Sequence, residues 1–182
     1  MLIFIHVPKT GGSSIRNHVK IENPEALGNR AHPSARDWRD AIGQEAYDAA
    51  TKFAVVRDPI VRYNSACAQA GLAPDLPTTW DFVRQFDGRW QAGGISAILM
   101  QRQVDMLTID GKLAVDKVFR FEEDLSGGVC QWLKAQGVEG DQLPHSNVNP
   151  AGSHPLPTGQ TLEFIKDFYA DDFSLFGYSM EP

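Results

Sequence analysis

Between a short apolar run and a helical pattern lies Pro8-Lys9-Thr10-Gly11-Gly12-Ser13-Ser14. Glycines let backbone amides approach an oxyanion closely, a helix N-terminus adds partial positive charge, and Lys9 and the hydroxyls supply further donors. These are the parts of a phosphate or sulfate cradle, made from Lys9, Thr10, Gly11, Gly12, Ser13 and Ser14. The loop is not a Walker A sequence, which needs G-x-x-x-x-G-K-[ST]; here the lysine precedes the glycines and no residue is placed to hold Mg²⁺ as in that motif. The plain alternative is a tight turn with a chance lysine. A second group of donors begins at Arg57, after another apolar run, with Ser65 eight residues on. Taken singly, Arg57 would pair with Asp58 or Glu122 and Ser65 would be a surface residue.

The elements that must position these groups follow from periodicity. Leu2–Val7 is apolar and β-branched and stops at Pro8, which predicts a buried central strand. The stretch from Ser13 to Lys20, with Ile15 and Val19 four apart, predicts a helix. Ser34–Ala50, with Trp38, Ile42 and Tyr47, predicts one amphipathic helix. Lys52–Arg57 predicts a second strand, and Asp58-Pro59 an N-cap with proline at the first helical position, opening a helix to about Gly71. Helical patterns recur around Trp80–Val83 and Ile95–Leu99. Lys117–Phe121 predicts a third strand, Glu122–Gly137 a helix interrupted early by Gly127-Gly128, and Leu162–Tyr169 a last helix before Phe173–Tyr178 packs back. Strands alternating with helices predict an α/β fold with a parallel, doubly wound sheet. Ligands of such sheets bind at the carboxyl ends of the strands, where both donor groups fall.

The length of 182 residues predicts a single domain, and 42% hydrophobic with 22% charged residues predicts a buried core rather than disorder. A formal charge of −6 argues against nucleic acid and anionic lipid as partners. Residues 1–62 nevertheless hold 9 Lys and Arg against 7 Asp and Glu, a balance of +2 that leaves −8 for the remainder, so an anion site belongs in the first third. Cys67 and Cys130 are too few for a disulfide scaffold and lack metal-ligand spacing, which predicts a reducing, cytoplasmic location. No segment approaches the roughly 20 apolar residues of a membrane span.

At the level of motifs the chain resembles a known family. His6-Val7-Pro8-Lys9-Thr10-Gly11-Gly12-Ser13-Ser14 is similar to the 5′-phosphosulfate loop of carbohydrate sulfotransferases, and Val56–Ala66, carrying Arg57 and Ser65, is similar to their 3′-phosphate motif. Weaker similarities are Gln103 with Asp105, Val118–Leu125, His145-Ser146-Asn147 and Tyr169–Tyr178. The resemblance implies a P-loop-like sulfotransferase fold over residues 1–182, with a core for 3′-phosphoadenosine 5′-phosphosulfate (PAPS) formed by 1–20 and 52–70. It implies that Lys9 bridges the departing 5′-phosphate and the sulfuryl group, that Thr10 to Ser14 hold the same phosphate, and that Arg57 and Ser65 bind the 3′-phosphate. No metal enters this scheme. Asn149 stands where the family often has Ser or Thr, so no donor contact is assigned to that loop.

His18, nine residues after Lys9, matches the position of the catalytic histidine in heparan sulfate 6-O-sulfotransferases. Imidazole suits proton abstraction from a hydroxyl near neutrality; His6 and His145 compete for the role, as ordinary placement on a helix face does for His18. The acceptor is expected to be a glycan or small molecule. Arg16, Lys20, Arg30, Arg36 and Arg39 could form a local basic groove, and Trp38, Trp80 and Trp90 could stack on a sugar, although core positions are the simpler reading of each tryptophan. The competing readings are a P-loop-like nucleotide or phosphoryl-transfer enzyme, and a non-catalytic relative that binds a nucleotide or glycan.

Overall fold

A computed structural model of the chain describes residues 1–19, 24–28, 30–85, 98–125, 127–138 and 155–181, the side chain of His18 excepted. In chain order its elements begin with β1 (Leu2–Ile5), α1 (Gly12–Val19), a 3₁₀ turn (Glu25–Leu27), α2 (Ala35–Ile42), α3 (Gln44–Ala49) and β2 (Thr51–Val56). There follow α4 (Pro59–Ala70), α5 (Pro77–Gln85), α6 (Gln103–Leu107), β3 (Thr108–Ile109), β4 (Lys112–Leu113) and β5 (Lys117–Arg120). The chain closes through α7 (Phe121–Asp124), α8 (Gly128–Ala135), α9 (Gly159–Phe168) and α10 (Ala170–Phe176). Two compact units share it: Met1–Val56 with Met106–Val148, and Arg57–Asp105 with Asn149–Pro182.

The first unit is α/β. Its sheet is parallel, in the order β1-β2-β5, with Phe4 opposite Phe53 and Val55 opposite Phe119. Among the described residues β1 is therefore an edge strand and β2 the central one, a correction to the predicted central position of Leu2–Val7. An unbroken apolar run reports burial on both faces, and Ile3, Phe4 and Ile5 are indeed buried; it does not report how many strands pair alongside. Phe4, Phe53, Val55 and Phe119 pack with Ile15 of α1 and Val129 and Leu133 of α8, so helices cover the sheet through one apolar cluster. Within it the Phe4 and Phe53 rings stack at 4.9 Å.

Two predicted helices are each broken in two. Gly43, at φ 84°, ends α2 and opens α3, so the single helix predicted over Ser34–Ala50 turns a corner there. Where one helix is predicted over Glu122–Gly137, α7 ends at Asp124 and α8 begins at Gly128. The hairpin β3–β4 was not foreseen; it turns through Asp110 (φ 52°) and Gly111 (φ 75°), the positive angles of the tight Asp-Gly turn.

The second unit is helical in its described residues. Tyr63 of α4 meets Phe164 of α9 and Tyr169 edge-on at 6.0 and 6.3 Å. Arg62, also buried, donates to the carbonyls of Leu99 and Gln101 and lies over the Tyr169 ring. Tyr169 in turn donates to the carbonyl of Met100 at 2.6 Å. The segment Phe173–Tyr178, expected only to pack back, is largely helical as α10.

Candidate functional site

The loop from β1 to α1 is held by its own side chains. Val7 N–H returns to the carbonyl of Ile5 at 3.1 Å, and the Thr10 hydroxyl donates to the carbonyl of Val7 at 2.8 Å. Thr10 is fully buried, so its hydroxyl proton serves the turn and what it offers to a ligand is its amide. Lys9 lies at φ 67°, a left-handed conformation that non-glycine residues seldom adopt. Strain of this kind persists only where the surroundings enforce it, and it fixes the direction in which the half-exposed lysine leaves the backbone.

Both glycines are dictated. Gly11 has φ 75°, and a Cβ there would sit 2.9 Å from Leu125 and 3.0 Å from Phe121. A Cβ on Gly12 would lie 1.9 Å from Cδ2 of His6. The next residues open α1: Ser14 N–H bonds the carbonyl of Gly11 at 3.1 Å, Ser13 is exposed and Ser14 buried. No acidic residue lies in the first turn of α1, so its positive end is not compensated by a carboxylate of the helix itself, as an anion cradle requires.

His6 is buried, stacked on Phe4 at 5.5 Å and tilted against His32 at 4.3 Å. His32 Nδ1–H donates to the His6 carbonyl at 3.0 Å, which fixes the His32 tautomer in its neutral form. Nδ1 of His6 has no hydrogen-bond partner among the described residues. Burial above all, then the neighbouring His32 and Arg16, hold the pKa of His6 well below the ordinary histidine range. Burial also lowers His32, against the opposing effect of its bond to the His6 carbonyl. His18 lies in α1, with its side chain outside the described residues, and His145 is outside them altogether.

In the second unit the α4 N-terminus is differently equipped. Asp58 caps it, accepting from Ile60 N–H at 2.8 Å and Val61 N–H at 3.0 Å, with Pro59 at the first position. A carboxylate of the chain therefore occupies the place where an anion would meet that helix, and recognition of a phosphate here falls to the side chains of Arg57 and Ser65, both partly exposed. Arg57 is gripped by its backbone: its N–H donates to Gln103 Oε1, and Gln103 Nε2 donates to its carbonyl, each at 2.9 Å. Gln103 and Val104 N–H groups in turn donate to the Asp172 carboxylate at 2.9 and 2.8 Å. Burial raises the pKa of Asp172, opposed first by Arg62 and then by these bonds. In the sequence Gln103 carries only a weak similarity and Asp172 only membership of a longer segment, because a contact across 69 residues leaves no local pattern.

The candidate acceptor groups are mostly engaged with the protein itself. Arg30 pairs with Asp37, Arg36 with Asp110 at 2.7 Å and Arg39 with Asp40 at 2.9 Å, while Arg16 donates to the carbonyl of Ala31. Trp38 is buried, and Trp80 stacks on Phe164 at 5.8 Å and donates to the carbonyl of Pro74. Lys20, Trp90, Asn147 and Asn149 lie outside the described residues. Cys67 and Cys130 are free and buried, and burial pushes the Cys67 thiol up to about 11, which keeps it protonated and unreactive near neutrality. Among the described residues no helix is long and apolar enough to cross a membrane. No family model, curated protein or solved structure matches the chain.

Proposed function

We propose that this chain is a sulfotransferase that moves a sulfuryl group from PAPS to a hydroxyl of a glycan or small-molecule acceptor. The observation that carries the reading is the β1–α1 loop: a lysine set before the glycines at positive φ, two positions closed to any side chain, and a helix N-terminus without an acidic first turn. A lysine in that place fits the resemblance to the 5′-phosphosulfate loop and not the order of a Walker A sequence. In this reading Lys9 and the amides of Thr10 to Ser14 hold the 5′-phosphate, and Arg57 and Ser65 hold the 3′-phosphate. The bond from sulfur to the 5′-phosphate oxygen breaks as the bond to the acceptor oxygen forms. The negative charge that appears on the leaving phosphate is what Lys9 and the loop amides stabilise, and His18 takes the acceptor proton.

The neutralised arginines around α2 favour a short or weakly charged acceptor over a long polyanion. The test is thermal denaturation with adenosine 3′,5′-bisphosphate (PAP), ATP and AMP. A ligand at 100 times its Kd stabilises by about 2.7 kcal/mol, so PAP should raise the melting temperature well beyond ATP or AMP. Equal shifts with PAP and ATP would favour a phosphoryl-transfer enzyme, and PAP binding without turnover a non-catalytic relative.

A further inference from the structure

Gln103 and Asp172 are both fully buried, and neither belongs to the residues assigned to the donor. Burying a primary amide is unfavourable unless its donor and acceptor are both satisfied. Gln103 satisfies them on one residue, with Arg57 N–H on Oε1 and the Arg57 carbonyl on Nε2, each at 2.9 Å. This reproduces, with a side chain, the two bonds that a neighbouring strand would give. It does so at the residue directly after β2, where pairing of β2 with β5 has just ended at Val56. Both Arg57 backbone groups are thereby tied, and the direction in which its side chain departs is set.

Gln103 is itself held. The two oxygens of Asp172 accept from the successive N–H groups of Gln103 and Val104 at 2.9 and 2.8 Å, which fixes the first turn of α6. Asp172 lies in α10, and Gln103 and Asp172 both belong to the second unit.

We propose that Gln103 is a positioning residue for the 3′-phosphate subsite, acting through the backbone of Arg57 and anchored by Asp172. This rests on the donor reading above. Gln103 touches no ligand in this account; it holds the arginine that does.

The test is a cycle of Gln103→Leu and Arg57→Ala, alone and together, with the PAP dissociation constant measured by calorimetry on the full chain. Gln103→Leu keeps the volume and removes both bonds. It should weaken PAP about tenfold in the parent protein and change it less than about twofold when Arg57 is already alanine, because coupled residues are not additive. Arg57→Ala leaves the backbone bonds in place, so a purely structural role of Gln103 would weaken PAP equally in both backgrounds, and that result overturns the proposal. No weakening in either background overturns it as well. A parent protein that binds AMP as tightly as PAP contradicts the donor reading itself, a failure visible before any variant is made. Should Gln103→Leu not fold, hydrogen exchange in the parent protein decides: the Arg57 amide exchanges slowly on this account, and fast exchange contradicts it.

Discussion

The imidazole of His6 occupies the space that a Cβ on Gly12 would need, with Cδ2 1.9 Å from that position. A histidine directly after the first strand thus sets the residue at the start of the first helix. Gly12 has no positive φ, so space alone excludes a side chain there. Gly12→Ala would gain at most about 1 kcal/mol of helix propensity, since Gly12 is only the first residue of α1, but must displace a buried ring, at about 1–3 kcal/mol or more. The variant should be less stable in urea unfolding. The loss should shrink in a His6→Ala background, where the ring is gone; an unchanged loss would refute this packing.

The same histidine should make stability fall in acid. His6 and His32 are held below the ordinary pKa of about 6.5 that they regain on unfolding. The unfolded chain therefore binds more protons as the pH falls through that value, and stability drops from about 6.5 downward toward the folded pKa values. Above that window the contribution is flat. His6→Phe, which retains a ring over Phe4, should flatten part of the slope between about pH 6.5 and 5. An unchanged slope would mean that His6 is not the group responsible.

Asp58 should contribute stability without contributing to donor binding. Asp58→Ala removes the cap on Ile60 and Val61 N–H groups, at about 1 kcal/mol, measurable by urea unfolding. PAP affinity should hold or rise, since a negative charge beside Arg57 is gone. Weaker PAP binding would contradict the division of labour between Asp58 and Arg57.

His18 should separate binding from chemistry. On the proposed function, His18→Ala leaves PAP affinity within a few-fold and lowers turnover by about 10² or more. Full turnover on a confirmed acceptor would remove His18 from the role.

Much of the fold is legible in short windows of sequence. The run before Pro8, the apolar run around Phe53 and the Asp58-Pro59 cap all act through neighbours in the chain, and β1, β2 and α4 stand close to where those signals place them. Gly43 was equally visible, but whether a glycine is tolerated within a helix or ends it depends on packing that no local pattern encodes. The Asp110-Gly111 turn carries the dipeptide of a two-residue hairpin, but its strands, only two residues each, are too short to show a strand pattern. Of the candidate site, the lysine and glycines could be read directly. The reasons those glycines are required could not, since Gly11 answers to Phe121 and Leu125 far along the chain. The same holds for Gln103 and Asp172, whose partners are distant in sequence.

Sulfuryl transfer from PAPS is tested by following sulfur-labelled PAPS with the purified protein across a panel of sugars and phenols, with and without EDTA. Label should pass to at least one acceptor hydroxyl, PAP should accumulate in equal amount, EDTA should leave the rate unchanged, and Lys9→Ala should abolish it. Intact PAPS across the panel, or transfer from ATP that requires Mg²⁺, would contradict it.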